Sequence, residues 1–451
     1  MIDPTRIVSL PDVHASRLGN TREVRVYLPP GYMRDPEARY PVLYMHVGQL
    51  ALAPRTPTAP AWEMHRALDG LIGSGKIREI LLVAVEHKPV AGGNEFLHEL
   101  SAYPVRCLGE DYEHFLVREL KPLIDRVFRT LPEPEHTALM GSSAAGLATY
   151  NIGLRNPEAF GNLAILSPFF VRVDPYTLEE TKQYRSYRLG PRQKAWLDMG
   201  SAEGFFMAKH VRPVAEAWLR EGAKQGERLA YLEQPGAAHS ERDWGRRAHL
   251  PLLFFFGGDS RPEEAVIHGP DTVGLEGPEA YLNAVVTCGN GFAFSDLEGR
   301  YETDRPDVLE VAPNGRLLPR GEGAANVVYR RRGVEARHRC VVVGRLSETV
   351  DVEIEAAVPE STEPDARVYA NFELARIGER LYGTRIALPR GMTIDFHITR
   401  GYGRNEGDRE YRPIPFRRLT ADRDKSVRYE VESWLDLRPG LTEEERKEGV
   451  W

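Results

Sequence analysis

The stretch TALMGSSAAGLATY, residues 137–150, decides the fold of the N-terminal part of this chain. An apolar run with the character of a β-strand ends at Gly141, two serines follow, and small residues lead into a helical pattern. A strand that turns sharply into a helix at a serine is the setting of a nucleophile elbow. A tight turn without chemistry has the same composition, so the rest of the chain must decide between the two.

The spacing of small residues favours Ser143 as the nucleophile. The elbow is strained, so the residues two before and two after the nucleophile must be small. Ser143 has Gly141 and Ala145 in those positions, whereas Ser142 would have Met140, which is too large.

Two neighbours of Ser143 bear on its chemistry. The backbone N–H of Ala144 would face an oxyanion that develops during attack on an ester. Ala145 stands where the usual motif has glycine, and its methyl group would tighten the contact between helix and strand.

Outward from the elbow, short apolar runs alternate with amphipathic segments of helical length up to about residue 257. This pattern predicts an α/β fold with a mostly parallel sheet. The predicted strands are residues 22–29, 40–47, 79–87, 136–141, 163–168, 194–200 and 228–236, and the clearest predicted helices are residues 111–128, 211–226 and 244–256.

The remainder of the chain changes to regularly spaced short strands with turn signals. A linker, GGDSRPEE at residues 257–264, separates it from the α/β part. We predict two small all-β sandwich domains, at residues 264–345 and 349–438, followed by a charged tail at 439–451.

A serine nucleophile needs a base, and the base needs an acid that orients it. Sites in open α/β sheets lie beyond the carboxyl ends of the strands. Glu203 lies in a loop after a predicted strand and is favoured as the acid, with Asp198, inside that strand, as the alternative. His239 follows the last strand and is the candidate base, while His249 has a helical, apolar context typical of a structural residue.

Composition limits the function classes. The net charge is −7, which argues against nucleic acid or an anionic membrane as a partner. The basic stretch at residues 329–339 is interpreted as a solvated strand face. Cys288 and Cys340 would pair only if their strands pack together, and buried free thiols are the alternative. We find no metal-ligand spacing and no phosphate-binding loop, so no cofactor is expected.

The N-terminal segment has no basic stretch followed by an apolar core, and no apolar run approaches the roughly 20 residues that span a bilayer. These patterns predict a cytoplasmic protein, although a secreted chain trimmed of its leader would look the same.

Residues 1–257 contain a series of motifs in this order: REVRVYLPPGY, RYPVLYMHVGQ, ALDGLIGSGKI, YEHFLVRELKPLID, GSSAAGL, NPEAFGNLAILSP, LDMGSAEG and PGAAHSERDW. On these motifs, the α/β part resembles the esterase D / enterochelin-esterase-like family of α/β-hydrolases. The resemblance implies Ser143 as nucleophile, His239 as base and Glu203 as acid. It also implies that the backbone of Gln49 supplies the second oxyanion donor.

The chain departs from the family near the oxyanion hole. Val47 stands where the family usually has Asp, and Ala145 where it has Gly. An insert at residues 50–62 follows, and its prolines predict an ordered loop over the pocket. Trp62, at its end, is a candidate pocket residue, with core packing as the alternative.

Residues 301–344 resemble a bacterial immunoglobulin-like domain of group 2, and residues 392–437 resemble a starch-binding-type carbohydrate module. Such modules stack sugar rings on exposed aromatic side chains. The tryptophan expected after TRG is absent, Tyr402 is the nearest aromatic residue, and Trp434 is expected in the core.

These observations predict a serine carboxylester hydrolase acting on a small-molecule or glycan ester, such as an acetylated or feruloylated carbohydrate. The alternatives are a siderophore-lactone esterase, acyl transfer to a sugar, and a non-catalytic glycan-binding or scaffold protein on a degenerate esterase fold.

Overall fold

The computed structural model describes residues 3–53, 61–98, 105–401 and 403–442. Its N-terminal part is built on an eight-stranded sheet in the order β1-β2-β4-β3-β7-β8-β11-β12. The strands of this part are β1 (Ile7–Ala15), β2 (Asn20–Tyr27), β3 (Val42–Met45), β4 (Leu81–Val85), β5 (Gly93–Asn94), β6 (Arg106–Cys107), β7 (Thr137–Ser142), β8 (Asn162–Leu166), β9 (Val171–Val173), β10 (Glu180–Lys182), β11 (Lys194–Gly200) and β12 (Leu229–Gln234).

The helices of the N-terminal part cover both faces of this sheet. They are α1 (Met64–Gly73), α2 (Gly109–His114), α3 (Lys121–Val127), α4 (Ser143–Arg155), α5 (Ala208–Arg220), α6 (Glu241–Arg247) and α7 (His249–Phe256). A π-helical turn, Phe115–Leu120, joins α2 to α3, so the predicted helix at 111–128 is continuous. The predicted helix at 244–256 begins earlier, at Glu241, and is divided at Ala248.

Strands at the centre of the sheet are buried throughout, which explains their unbroken apolar sequences. In β4 every residue is buried, and alternate residues supply the two opposite cores: Leu82 belongs to one and Val83 to the other. The pairs β1–β2 and β2–β4 are antiparallel, and the remaining pairs of this sheet are parallel. The predicted mostly parallel α/β sheet is confirmed, with β1 as a strand that the sequence did not predict.

The C-terminal half is β-rich, as predicted, and divides around two hydrophobic cores. The part that directly follows the α/β part is called the middle unit. It contains β13 (Pro262–His268), β14 (Thr272–Glu276), β15 (Asn283–Cys288), β16 (Ala293–Ser295), β17 (Arg300–Thr303), β18 (Leu309–Val311), β19 (Leu317–Pro319), β20 (Gly323–Arg331) and β21 (Val334–Arg345). They form sheets of order β13-β15-β16, β14-β21-β20-β17 and β18-β19.

The second unit, the C-terminal unit, contains β22 (Thr349–Ala357), β23 (Val368–Tyr369), β24 (Glu373–Arg376), β25 (Leu381–Pro389), β26 (Thr393–Phe396), β27 (Glu406–Gly407), β28 (Arg417–Thr420), β29 (Lys425–Glu430) and β30 (Ser433–Trp434). Its main sheet has the order β23-β24-β25-β22-β29, and β26 pairs with β28. The predicted division at residues 345–349 falls between β21 and β22.

Several smaller predictions are also answered. Cys288 and Cys340 are free thiols buried in the core of the middle unit, so the disulfide alternative does not apply. Arg330 and Arg337 on the basic hairpin are exposed and both pair with Glu335, which fits a solvated strand face. Within the described ranges, no helix is long and apolar enough to cross a membrane.

Gly70 offers a test of local helix stability. It lies in the interior of α1, is exposed, and a Cβ built there would meet nothing within 4 Å. Alanine loses less conformational entropy on folding, so Gly70→Ala should raise the free energy of unfolding by about 0.5–1 kcal/mol in urea titrations. Gly153→Ala, inside α4, is the matched control. Its Cβ would lie 2.2 Å from Leu163 Cδ2, so this variant should be less stable than the wild type. A stabilising effect of both substitutions would contradict this packing.

Candidate active site

The candidate nucleophile lies at the turn from β7 into α4. Ser143 is the first residue of α4 and has φ of 56°, a left-handed conformation that is uncommon outside glycine. A Cβ at Gly141 would lie 2.6 Å from Ala145 O and 2.8 Å from His46 Cδ2, so only glycine fits. The backbone therefore has the sharp, strained geometry of an elbow, with Ser143 at its tip.

The methyl group of Ala145 is buried in the hydrophobic core on one face of the sheet. The closest approach of helix and sheet occurs one residue later. A Cβ at Gly146 would lie 2.7 Å from Leu166 O, the end of the neighbouring strand β8. Gly146, rather than residue 145, therefore sets the distance between α4 and the sheet.

Three of the predicted residues form one hydrogen-bonded chain. His239 Nε2 lies 2.9 Å from Ser143 Oγ, and His239 Nδ1 lies 2.7 Å from Glu203 Oε2. With the imidazole proton on Nδ1, His239 donates to the carboxylate and its Nε2 accepts from the serine hydroxyl. The structure thus brings together a hydroxyl from the start of α4 and, from two loops, an imidazole and a carboxylate in the arrangement of a serine hydrolase triad.

The other oxygen of Glu203 is fixed by three donors. Oε1 accepts from Gly200 N at 2.6 Å, from Ser167 Oγ at 2.7 Å and from Arg247 Nη2 at 3.3 Å. Burial alone would raise the pKa of this carboxyl. The hydrogen bond from His239, the charge of Arg247 and the hydrogen bond from Ser167 outweigh burial and hold the pKa below its usual value. Glu203 is therefore a fixed anion facing the imidazole.

Asp198 lies behind this site and has different partners. Its Oδ1 accepts from Ser167 N at 3.1 Å and Arg247 Nη2 at 3.0 Å, and its Oδ2 accepts from Trp196 Nε1 at 2.8 Å. Burial raises the pKa of Asp198 despite the opposing effect of Arg247. The structure therefore brings Glu203, and not Asp198, to the imidazole of His239.

Arg247 and Ser167 belong to the site and were missed by the sequence analysis. Arg247 is buried in α6, and its Nη2 donates to both carboxylates and to Ser167 Oγ. A signal did exist for Ser167, because it follows β8 at the edge where the other site residues lie. Arg247 is the last residue of α6, whose sequence ERDWGRR is mostly charged, so the sequence does not distinguish this buried arginine from its exposed neighbour Arg246. His249, by contrast, bonds the backbone of Arg246 and stands apart from the triad.

Aromatic rings enclose the imidazole. Phe206 stacks on His239 with ring centroids 4.0 Å apart, and Trp244 meets it edge-on at 4.8 Å. Phe169 lies 5.8 Å from Phe206. Trp62 is buried, and its ring centroid lies 5.9 Å from that of Trp244. Trp244 therefore lies between Trp62 and the imidazole. The predicted loop over the pocket falls mostly on residues 54–60, outside the described part of the chain.

The loop after β3 lies beside the elbow. β3 pairs in parallel with β7, and His46 N donates to Met140 O at 3.0 Å. Gln49 is anchored by its side-chain amide, whose Oε1 accepts from His87 N at 3.0 Å and whose Nε2 donates to His87 O at 3.3 Å. Ala144 occupies the first turn of α4, where backbone N–H groups have no partner in the helix. The assignment of these two backbone donors to an oxyanion hole stays a prediction.

Val47 has a left-handed backbone, with φ of 54° and ψ of 49°. A β-branched residue is strained in this region, whereas the Asp that the resembled family has here tolerates it better. The departure at residue 47 therefore changes backbone strain next to the candidate oxyanion hole.

Among the described residues no group of three or more His, Cys, Asp or Glu side chains is placed to hold a metal ion.

The chain is similar to several proteins that are named as esterases. A curated endo-1,4-beta-xylanase/feruloyl esterase from Xylanibacter ruminicola is 32% identical over 158 residues. That match covers 33% of this chain and spans only 20% of the relative's length.

Two solved structures cover mainly the N-terminal half. A ferulic acid esterase from Anaeromyces mucronatus has 17% identity and a TM-score of 0.43, covering 55% of this chain and 89% of that one. The enterobactin esterase from Shigella flexneri has 16% identity and a TM-score of 0.44, covering 56% of this chain and 60% of that one. The family model described as putative esterase matches residues 15–248, more than half of the 451 residues. The chain therefore belongs to the putative esterase family.

Proposed function

We propose that the chain is a serine carboxylester hydrolase that works through an acyl-enzyme on carbohydrate-linked esters of the feruloyl or acetyl type. The observation that carries the proposal is the unbroken chain from Ser143 Oγ through His239 to Glu203, with contacts of 2.9 and 2.7 Å. Each of these groups has the partner that its role in the reaction requires.

In the acylation step, Ser143 Oγ attacks the ester carbonyl while its proton passes to His239 Nε2. The carbonyl oxygen becomes an oxyanion, which the backbone N–H groups of Ala144 and Gln49 would stabilise. Glu203 stabilises the imidazolium, which then protonates the leaving alcohol as the carbon–oxygen bond breaks. An acyl group remains as an ester on Ser143.

Deacylation repeats these steps with water. His239 removes a proton from the water, whose oxygen attacks the acyl carbon, and the same donors would stabilise the second oxyanion. The imidazolium returns the proton to Ser143 Oγ, which releases the carboxylic acid. No metal or organic cofactor takes part in this scheme.

The aromatic surroundings favour an aromatic acyl group. Phe206, which stacks on the imidazole, and Phe169, which lies beside Phe206, are both partly exposed, and rings of this kind attract another ring by stacking. The curated relative is named for feruloyl ester cleavage together with xylan cleavage. Both points support a feruloyl ester of a carbohydrate over a simple acetyl ester.

We further propose that the middle and C-terminal units are an immunoglobulin-like domain and a carbohydrate-module-like domain. Their sequence resemblances support this assignment, as does the β-rich architecture with two separate cores. Trp434 lies in the core of the C-terminal unit and is fully buried, so it offers no face to a sugar. Tyr402 lies outside the described residues.

The test combines active-site labelling with substrate comparison. A fluorophosphonate probe should add once to the folded protein, and peptide mapping should place the adduct on Ser143. Methyl ferulate should then be cleaved with a kcat/KM at least about tenfold above that of methyl acetate, because an extra buried ring contributes binding in the transition state. A folded protein that takes no adduct and cleaves neither ester would favour the non-catalytic alternative.

A further inference from the structure

The loop that carries Glu203 is hydrogen-bonded to the C-terminal unit through its backbone. Gly204 N donates to Thr393 O at 3.0 Å, and Asp395 N donates to Ala202 O at 3.2 Å. Between these two bonds, Glu203 forms an antiparallel bridge with the residue that separates Thr393 and Asp395 in β26. The loop between β11 and α5, which carries Glu203 and is called the acid loop below, therefore lies along one edge of β26 as a short additional strand.

Side chains complete this contact. Ile394 is buried, and a Cβ built on Gly204 would lie 2.7 Å from its Cδ1, so the two residues pack without a gap. Phe205 packs against the core of the C-terminal unit. The next residue, Phe206, stacks on His239. The acid loop is thus clamped between the imidazole on one side and the C-terminal unit on the other.

The same strand pair also reaches the loop that carries His239. Arg418 in β28 is held by Asp395 in β26, with contacts of 2.7 and 2.8 Å to the two carboxylate oxygens. From this position Arg418 Nη2 donates to Gly236 O at 2.7 Å. Gly236 lies three residues before His239 in the chain. Two adjacent strands of one unit therefore contact both loops that carry the acid and the base.

We propose that Ile394 and Arg418 are positioning residues for Glu203 and His239, so that the C-terminal unit completes the esterase site. This inference rests on the proposed function. Loops are intrinsically mobile, and a catalytic carboxylate and imidazole must be held within about 0.5 Å of their working geometry. A packed edge strand supplies the rigidity that these two loops lack on their own.

The experiment uses the full chain and two matched pairs of variants. Ile394→Ala is compared with Ile386→Ala, which removes the same atoms from a buried isoleucine that pairs with Val352 inside the C-terminal unit. Arg418→Ala is compared with Arg385→Ala, which breaks a cross-strand ion pair, at 2.7 Å, with Asp351, an aspartate more exposed than Asp395. The controls remove the same side-chain atoms and the same charge without touching either loop.

The first readout is turnover per active site, with sites counted by saturating fluorophosphonate labelling. Ile394→Ala and Arg418→Ala should lower kcat about 3–10-fold while KM stays within about twofold, because the displaced groups act on the reaction and not on substrate binding. The controls should keep the wild-type kcat per site. A residue that only stabilises the fold would change the number of sites and not the rate per site.

The second readout does not depend on catalysis. The proton on His239 Nδ1 that bridges to Glu203 should give a far-downfield resonance in ¹⁵N-histidine-labelled protein. It should be sharp in the wild type and controls, and broadened by faster exchange in Ile394→Ala and Arg418→Ala.

Each outcome is decisive. If the wild type turns over and all four variants keep its kcat per site, the positioning role is wrong and the esterase function stands. If the wild type is inert, the esterase function fails and the proton resonance alone decides the positioning role. A resonance that is missing from the wild type, or equally sharp in all proteins, would overturn the inference.

Discussion

Replacement of Ser143 by alanine should lower ester hydrolysis by about 10⁵-fold or more and abolish the fluorophosphonate adduct. The reason is that the acyl-enzyme forms on Ser143 Oγ, which lies 2.9 Å from the base. Without that oxygen, only transition-state stabilisation by the remaining groups is left, and the effects of such residues are large and non-additive. The measurement is kcat/KM on methyl ferulate, with intact mass after incubation with the probe.

Ser142→Ala is the matched control, because it removes the same atom from the preceding residue. Ser142 is the last residue of β7, whereas Ser143 begins α4 in the left-handed conformation. The control should keep activity within about threefold and take one adduct. If the two variants lost activity equally, or if Ser143→Ala were still labelled, the nucleophile would be assigned to the wrong residue.

The elbow could be predicted from sequence because its requirements are local. Residues two before and two after the nucleophile lie within one turn, so their small size is visible in five consecutive letters. The central strands were predicted for a similar reason. Burial on both faces makes each of them a continuous apolar run bounded by polar residues.

Strand β1 could not be predicted in this way. It is an edge strand whose residues are mostly exposed or partly exposed, with a proline at position 11 and a register shift between Leu10 and Val13. Such a strand shows neither a continuous apolar run nor a clean alternation. Its place in the sheet is decided by pairing with β2, which is a contact between segments.

The network behind the triad is also beyond single-sequence reasoning. Arg247 is separated from Asp198 and Glu203 by more than forty residues, and their contact depends on how α6 packs on the sheet. The same holds for Ile394 against Gly204, which come from different units. Periodicity shows which residues are buried, but it does not show which buried residues meet.

The choice between the two candidate acids leads to the last expected result. Glu203→Gln should lower kcat by about 10³–10⁴-fold. Oε1 of residue 203 faces three donors, Gly200 N, Ser167 Oγ and Arg247 Nη2. A glutamine must keep its oxygen there, so its amide N–H₂ turns toward His239 Nδ1. That forces the imidazole proton onto Nε2, and the base can no longer accept from the nucleophile.

Asp198→Asn is the matched control, since it also exchanges one buried carboxylate beside Arg247 for an amide. In the wild type, the carboxylate oxygens of Asp198 face Ser167 N, Arg247 and Trp196. Asp198→Asn should therefore lower the free energy of unfolding by about 1–3 kcal/mol, while kcat stays within about tenfold of the wild type. Both variants are compared by kcat on methyl ferulate and by urea unfolding. A larger loss of kcat in Asp198→Asn than in Glu203→Gln would make Asp198 the acid, because only the carboxylate that holds the proton on Nδ1 can set the tautomer of the base.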